Sequence, residues 1–396
     1  MKDTIIGVSG SYDIKENSVE KAAIKYKKDI EHESNIRTVP LYRSDIMGID
    51  NVKFMYPLAG VPIIAYTLLN AVDQNCEVRV TGNDEVENLV DLMNSEFNFG
   101  IKFNHEGKDL SLANSLLKLF SEDIGKGNYF VTGDVPFAKN YTTSNYDGDV
   151  VLDLNTENLI KPFTYISRNF YNKGKRQNQH LGFKEPNVYY FSNTGFGTIQ
   201  EAANIFFENR KGGGLSHAVG EYLKSKYQSD EMFKKGLKKN KFRFAIEVSK
   251  AFFQKFSIPT PAINFDKLNP VISKDLYGID WRFEFLHNDI FRMLDIDGLN
   301  NDYVLYNGIA NKLEQRDKLD ERLVKVRNAI NSNKNLFPVV INFESIIGEY
   351  INQVNEHLED NLKLKFENLD KFCEMYQNKN SINELTNHFL VSGKKL

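Results

Sequence analysis

Asn128-Tyr129-Phe130-Val131-Thr132-Gly133-Asp134-Val135-Pro136-Phe137 is a short apolar run that ends in Gly-Asp, with a proline just beyond the acid. Proline has no N–H for a strand ladder, so the strand stops there. An α/β protein places a carboxylate in this way at the carboxyl end of a buried strand, where open parallel sheets bind ligands. A Mg²⁺ ion carrying a nucleotide phosphate takes one or two carboxylates plus phosphate oxygens. Asp134 therefore reads either as such a ligand or as a turn residue after a core strand.

Outward from this run, the first 155 residues alternate strand-like and helix-like patterns. Thr4 to Val8 reads as a strand that leads into the loop Gly7-Val8-Ser9-Gly10-Ser11. A helix is expected over Ile63 to Val72, with Pro62 in its first turn. Glu77 to Val80 reads as a strand ending at Thr81-Gly82-Asn83-Asp84, Glu85 to Met93 as a helix, and Ile101 to Asn104 as a strand. Ser111 to Phe120 places Leu112, Leu116 and Phe120 on one helical face. Tyr129 to Thr132 and Val150 to Leu154 are further strands. Strands separated by helices of this length imply βαβ units and a mostly parallel central sheet covered on both faces.

Beyond residue 156 the pattern is mixed. Asn187 to Phe191 and Phe242 to Val248 are strand-like, Ile199 to Asn209 and Leu215 to Tyr227 are helical, and Pro259, Pro261 and Pro270 break the remainder. After about residue 290 the chain becomes highly charged and helical, with its clearest helices at Lys312 to Ser332 and Phe343 to Leu358. The expected organisation is an α/β domain over 1–290, in halves 1–155 and 156–290, followed by a helical region over 291–396. That region would pack onto the α/β part or serve homo-oligomer formation.

Composition narrows the function classes. A net charge of -3 over 396 residues argues against a nucleic-acid partner. Cys76 and Cys373 stand far apart in no metal-ligand spacing, as thiols of a reducing compartment do. Met1 to Gly7 is too short in apolar character for a signal peptide, and no stretch approaches the roughly 18 apolar residues of a membrane helix. A cytoplasmic location with no membrane partner is expected.

The string Lys53-Phe54-Met55-Tyr56-Pro57-Leu58-Ala59-Gly60-Val61-Pro62-Ile63-Ile64-Ala65-Tyr66-Thr67-Leu68 resembles the segment of nucleoside-triphosphate transferases in which a basic residue meets the triphosphate and a Gly-x-Pro turn feeds a helix. Lys53 matches the phosphate-binding lysine, and Pro57, Gly60 and Pro62 match the turn. Gly133-Asp134-Val135-Pro136-Phe137 follows about eighty residues later, in the place of the family's metal-binding element. The chain thus resembles a GT-A-like nucleotidyltransferase with a Rossmann-like α/β fold. Its nearest branches are the molybdenum-cofactor guanylyltransferase-like enzymes and the sugar-nucleotide pyrophosphorylases. The resemblance covers residues 1–155 well, 156–285 faintly and the C-terminal region not at all.

The resemblance implies a Mg²⁺-dependent (or Mn²⁺-dependent) enzyme. It would transfer an NMP unit from a nucleoside triphosphate to a small phosphorylated acceptor and release pyrophosphate. Lys53 and Asp134 would be catalytic, with Gly7, Ser9, Gly10, Ser11, Asn83, Asn114 and Gly133 around the nucleotide. Lys184 and Asn187 would meet the acceptor. Asp266 or Asp280, or more weakly Asp153, would join Asp134 on the metal. The family's opening glycine-rich loop carries an arginine that is missing after Gly7-Val8-Ser9-Gly10-Ser11, and Arg43 is the candidate replacement. Two alternatives remain open. One is a GT-A glycosyltransferase with the Asp-x-Asp of Asp295-Ile296-Asp297, and the other is a degenerate nucleotide-binding scaffold.

Overall fold

The computed structural model describes residues 4–10, 19–31, 53–105, 112–120, 124–139, 149–155, 170–172, 175–176, 187–201, 221–255, 263–286, 291, 296, 301–376 and 379–392. Its strands are β1 (Thr4–Ser9), β2 (Pro57–Leu58), β3 (Val61–Pro62), β4 (Glu77–Gly82), β5 (Lys102–His105), β6 (Gly127–Thr132), β7 (Val150–Asn155), β8 (Phe170–Asn172), β9 (Lys175–Arg176), β10 (Val188–Ser192), β11 (Ile263–Asn264) and β12 (Trp281–Leu286). The chain forms two compact units. The first holds Met1–Gly7, Ser111–Val131 and Asn140–Met293, and the second Val8–Leu110, Thr132–Lys139 and Leu294–Leu396.

In the first unit the strand order is β12-β7-β10-β6-β1. β12 runs parallel to β7, with Trp281 opposite Val150, whereas β10 is antiparallel to both β7 and β6. The core beneath β6 and β10 contains Ile5, Phe120, Phe130 and Phe191. Burying each phenylalanine contributes roughly 1.5–3 kcal/mol. Phe120 meets Phe191 edge to face at 4.9 Å. It also approaches Gly7 so closely that a Cβ there would lie 2.5 Å from the Phe120 ring. The glycine lets the helix Leu112–Phe120 close onto β1.

One strand expectation fails in this unit. Phe242 to Val248 lies inside the helix Glu231–Lys255. The run does place apolar residues at alternate positions, but lysine-rich flanks with good helix propensity carry the helix straight through it. Glu247 is buried there, accepts the Asn264 backbone N–H at 2.8 Å and pairs with Lys250 one turn on at 2.7 Å. Pro270, expected as a breaker, ends the helix Phe265–Pro270 and is followed at once by the π-helical turn Val271–Tyr277.

The order continues β1-β4-β5 in the second unit, to which Val8–Ser9 and Thr132 belong. Here Gly10 N–H donates to the Thr81 carbonyl at 2.7 Å and Gly133 N–H to the Ser9 carbonyl at 2.8 Å. The carboxyl ends of β4, β1 and β6 therefore lie side by side and run the same way. β4 and β5 are parallel as well. The fold is α/β with a mostly parallel central sheet and C-terminal helices. Helices Ile63–Val72 and Asp84–Phe97 follow β3 and β4.

The C-terminal helices are Asn301–Gln315, Glu321–Ser332, Pro338–Asn355, Leu369–Tyr376 and Lys379–Ser392. The helix expected over Lys312 to Ser332 is interrupted, because Asp317 adopts a left-handed φ of 54° and Asp320 caps the next helix by accepting Arg322 N–H at 2.9 Å. Among the described residues no helix is long and apolar enough to cross a membrane.

Candidate functional site

The Gly133-Asp134-Val135-Pro136 turn leaves β6 where two other strands end. Gly133 is required by crowding: a Cβ would sit 2.6 Å from the Ser9 carbonyl oxygen and 2.8 Å from the Phe54 ring. Gly10 is tighter still, with the Thr81 carbonyl oxygen 2.3 Å from where its Cβ would be. Thr67 and Asn70, from the helix Ile63–Val72, donate to the carbonyls of Gly133 (3.0 Å) and Pro136 (2.9 Å). The Asp134 carbonyl accepts Ile296 N–H at 3.2 Å. Phe137 then anchors the turn against Tyr66, Tyr306 and Phe389.

This scaffold aims Asp134 at Lys53. Lys53 opens the 3-10 turn Lys53–Met55, and its Nζ lies 2.5 Å from Asp134 Oδ2. The two side chains are 6% and 1% exposed. Taking both charges out of water costs several kcal/mol per ion, which the attraction between them offsets only in part. The other carboxylate oxygen, Asp134 Oδ1, is buried with no hydrogen-bond partner, as are the hydroxyls of Thr81 and Thr132 at the ends of β4 and β6. Native interiors satisfy roughly 90% or more of such groups, and Asp134 Oδ1 is the carboxylate oxygen among the unsatisfied buried side-chain atoms of the described residues.

The other expected site residues are placed as follows. Ser9 is fully buried at the end of β1, and Gly10 follows it. The N–H groups of Gly10 and Gly133 already donate to backbone carbonyls, so these glycines offer close approach rather than free donors. Gly7 sits inside β1 against Phe120. Asn83 caps the helix Asp84–Phe97 by accepting Val86 N–H at 3.1 Å. Asn114 lies on the helix Leu112–Phe120, and Asn187 is buried just before β10, both in the first unit. Asp280 is in that unit too, its backbone N–H donating to Asp149 Oδ2 at 2.9 Å and its carbonyl accepting Asp149 N–H at 2.8 Å. Asp266 is on the helix Phe265–Pro270, and Asp153 on β7 is opposite Glu284. Ser11, Arg43, Lys184, Asp295 and Asp297 lie outside the described residues.

Among the described residues no three His, Cys, Asp or Glu side chains gather as a metal cage. The donor set nevertheless fits Mg²⁺, which keeps most of its ligands as water and phosphate and needs only one or two carboxylates. Asp134 Oδ1 is the oxygen available for it.

Sequence reasoning missed several residues that tie the C-terminal helices to the rest of the second unit. Glu85, in the first turn of the helix after Asn83, is buried and accepts Val339 N–H at 3.1 Å, so it caps the helix Pro338–Asn355. Burial pushes its carboxyl up to about 7 against the opposing pull of the Val339 and Val340 backbone N–H groups. Tyr303, Asn307 and Arg327, from the C-terminal helices, bond to the backbone that follows Lys53. No local motif announces them, because each acts on backbone more than 240 residues away.

No protein-family model matches the chain, and no curated protein does. Solved structures with some likeness include HddC from Yersinia pseudotuberculosis complexed with GMP-PN, at 12% identity, covering 51% of this chain and 79% of that one with a TM-score of 0.32. Another is 4-diphosphocytidyl-2C-methyl-D-erythritolsynthase from Anaerococcus prevotii DSM 20548, at 9% identity, 78% and 99% coverage and a TM-score of 0.37. A likeness of this degree assigns neither activity nor substrate.

Proposed function

We propose that the chain is a Mg²⁺-dependent nucleotidyltransferase that moves an NMP unit from a nucleoside triphosphate to a small phosphorylated acceptor. The observation that carries this reading is the Lys53–Asp134 pair, buried at three parallel strand ends with Asp134 Oδ1 unsatisfied. A lysine and a carboxylate separated by 81 residues (134 minus 53) become neighbours at the edge where open α/β sheets receive ligands.

In the reaction an oxygen of the acceptor phosphate attacks the α-phosphorus, the bond to the β-phosphate oxygen breaks, and pyrophosphate leaves. The protein's share is positioning and charge stabilisation. Lys53 would release Asp134 Oδ2 and donate its N–H bonds to the phosphates as a point charge on a flexible stem. Asp134 would hold Mg²⁺, which when bound neutralises charge on the phosphate oxygens. Gly10 and Gly133 let the chain segments at the strand ends approach one another closely, which fixes the backbone that carries Asp134.

The test is pyrophosphate release from a panel of nucleoside triphosphates and sugar phosphates, with and without Mg²⁺. Turnover that is Mg²⁺-dependent and lost in Asp134→Ala is the expected result. Undiminished turnover in that variant would sink the role given to Asp134. Nucleotide binding without turnover by the natural chain would favour the degenerate binding module, a reading supported by the occupied N–H groups of Gly10 and Gly133.

A further inference from the structure

β2 and β3 form a two-residue hairpin directly after Lys53, with Pro57 opposite Pro62 and Leu58 opposite Val61. Its turn residues Ala59 and Gly60 have φ of 49° and 77°. Positive φ at both centres is the type I′ geometry, which favours Asn-Gly and disfavours alanine at the first place, because alanine lacks the short polar side chain that lets asparagine adopt left-handed φ. Leu58 and Val61 are fully buried, so the backbone polar groups here need partners other than bulk water.

Those partners are side chains. The Leu58 carbonyl accepts from Tyr66 Oη at 2.8 Å, and the Pro57 carbonyl from Tyr303 Oη at 2.7 Å. Ala59 is held on both sides: its N–H donates to Asn307 Oδ1 at 2.9 Å and its carbonyl accepts Arg327 Nη1 at 2.8 Å. Arg327 is itself tied to Glu314 at 2.6 Å and lies over Gly60, where a Cβ would meet its Cδ at 2.8 Å. Tyr56, between Lys53 and the hairpin, packs against Tyr303 and Phe343. The hairpin is rigidly connected to Lys53 through a single 3-10 turn, with Tyr56 N–H donating to the Lys53 carbonyl at 3.3 Å.

We infer that Asn307 and Arg327 are positioning residues, which hold the disfavoured Ala59 turn and through it keep Lys53 against Asp134. They touch neither reacting atoms nor Lys53 itself in any described contact. Their kinetic consequence rests on the nucleotidyl-transfer reading, while the placement of Lys53 does not.

The experiment therefore has two arms on the full chain. In the first, a pulse of acetic anhydride followed by peptide mass spectrometry reads the acylation rate of Lys53, with the buried Lys226 of the first unit as internal control. Lys53 acylation should rise about ten-fold in Arg327→Met and in Asn307→Leu, because each removes a hydrogen bond that keeps the turn closed, while Lys226 stays protected. Arg327→Lys, which keeps a cationic donor on a flexible stem, should restore part of the protection that Arg327→Met loses. Lys53 protected in both variants, or Lys53 and Lys226 acylated in parallel, overturns the inference. In the second arm, kcat should fall by about ten- to a hundred-fold with KM for the acceptor unchanged, as small misplacements of a reacting group do. Absence of turnover in the natural chain would refute the nucleotidyl-transfer reading and leave the acylation result standing.

Discussion

Two buried lysines set the two units of this protein apart. Lys226, in the first unit, meets Glu201 and lies 3.6 Å from Asp230, with the Tyr277 ring 5.9 Å from its Nζ. Its carboxylate partners are 36% and 30% exposed, so water shares their charge. Lys53, in the second unit, meets a carboxylate that is 1% exposed and half unsatisfied. One is an ion pair whose carboxylates stay partly solvated. The other is costly to bury, and that cost is the ground on which the proposed role of Lys53 and Asp134 rests.

That contrast can be broken by removing either lysine. Lys53→Met strands Asp134 as a lone buried charge and should cost about 3–5 kcal/mol in denaturant unfolding, whereas Lys53→Met with Asp134→Leu should recover most of the loss without any activity. Lys226→Met should cost about 1 kcal/mol or less, because its carboxylates remain solvated. Equal losses at the two lysines would erase the distinction. In turnover, Asp134→Ala should lower pyrophosphate release by roughly 10²–10³-fold, the usual effect of deleting one charge-stabilising group, while Lys226→Met leaves it unchanged.

Glu85 sharpens the same contrast with a buried carboxylate that backbone N–H groups hold instead of an ammonium. Its folded pKa, about 7, lies above the ordinary 4.5, so the folded state binds this proton more tightly. The stability it contributes is complete below about pH 4.5 and is lost as pH rises through 7. Relative to Glu85→Gln, the natural chain should lose up to about 3 kcal/mol between those limits in unfolding at a series of pH values. A parallel pH profile in the two proteins would remove Glu85 from the account. Glycines give the smallest test. Gly133→Ala should destabilise by about 1–3 kcal/mol through collision with Ser9 and Phe54, whereas Gly197→Ala, in a helix with open space around it, should stabilise by about 0.5–1 kcal/mol.

Much of the second unit was legible because its elements carry local signals. Pro62 before Ile63, Asn83 before Asp84 and Gly-Asp after β6 each mark a boundary through backbone chemistry that acts over a few residues. Lys53 and Asp134 were both readable as candidates, and the structure brings them to 2.5 Å. Their mutual pairing was not readable, since it depends on three strand ends being adjacent. Phe242 to Val248 misled because alternation over seven residues is too short to outweigh the helix around it. The break at Asp317 escaped notice because aspartate reaches left-handed φ at little cost and needs no glycine to announce it. Asn307 and Arg327 were invisible for a different reason. A side chain that bonds to distant backbone leaves no pattern in its own neighbourhood.

The Ala59 turn also has a history within each molecule as it is made. Its partners are made later: a nascent chain extruded as far as residue 290 already contains Lys53, Asp134 and the hairpin, but not Tyr303, Asn307 or Arg327. Domains generally fold as units during synthesis at about 5–20 residues per second. The hairpin is therefore made about 240–265 residues before Tyr303, Asn307 and Arg327, which at that pace is roughly 12–53 s. The Ala59 turn can gain its Asn307 and Arg327 hydrogen bonds only after more than two hundred further residues have been added to the chain.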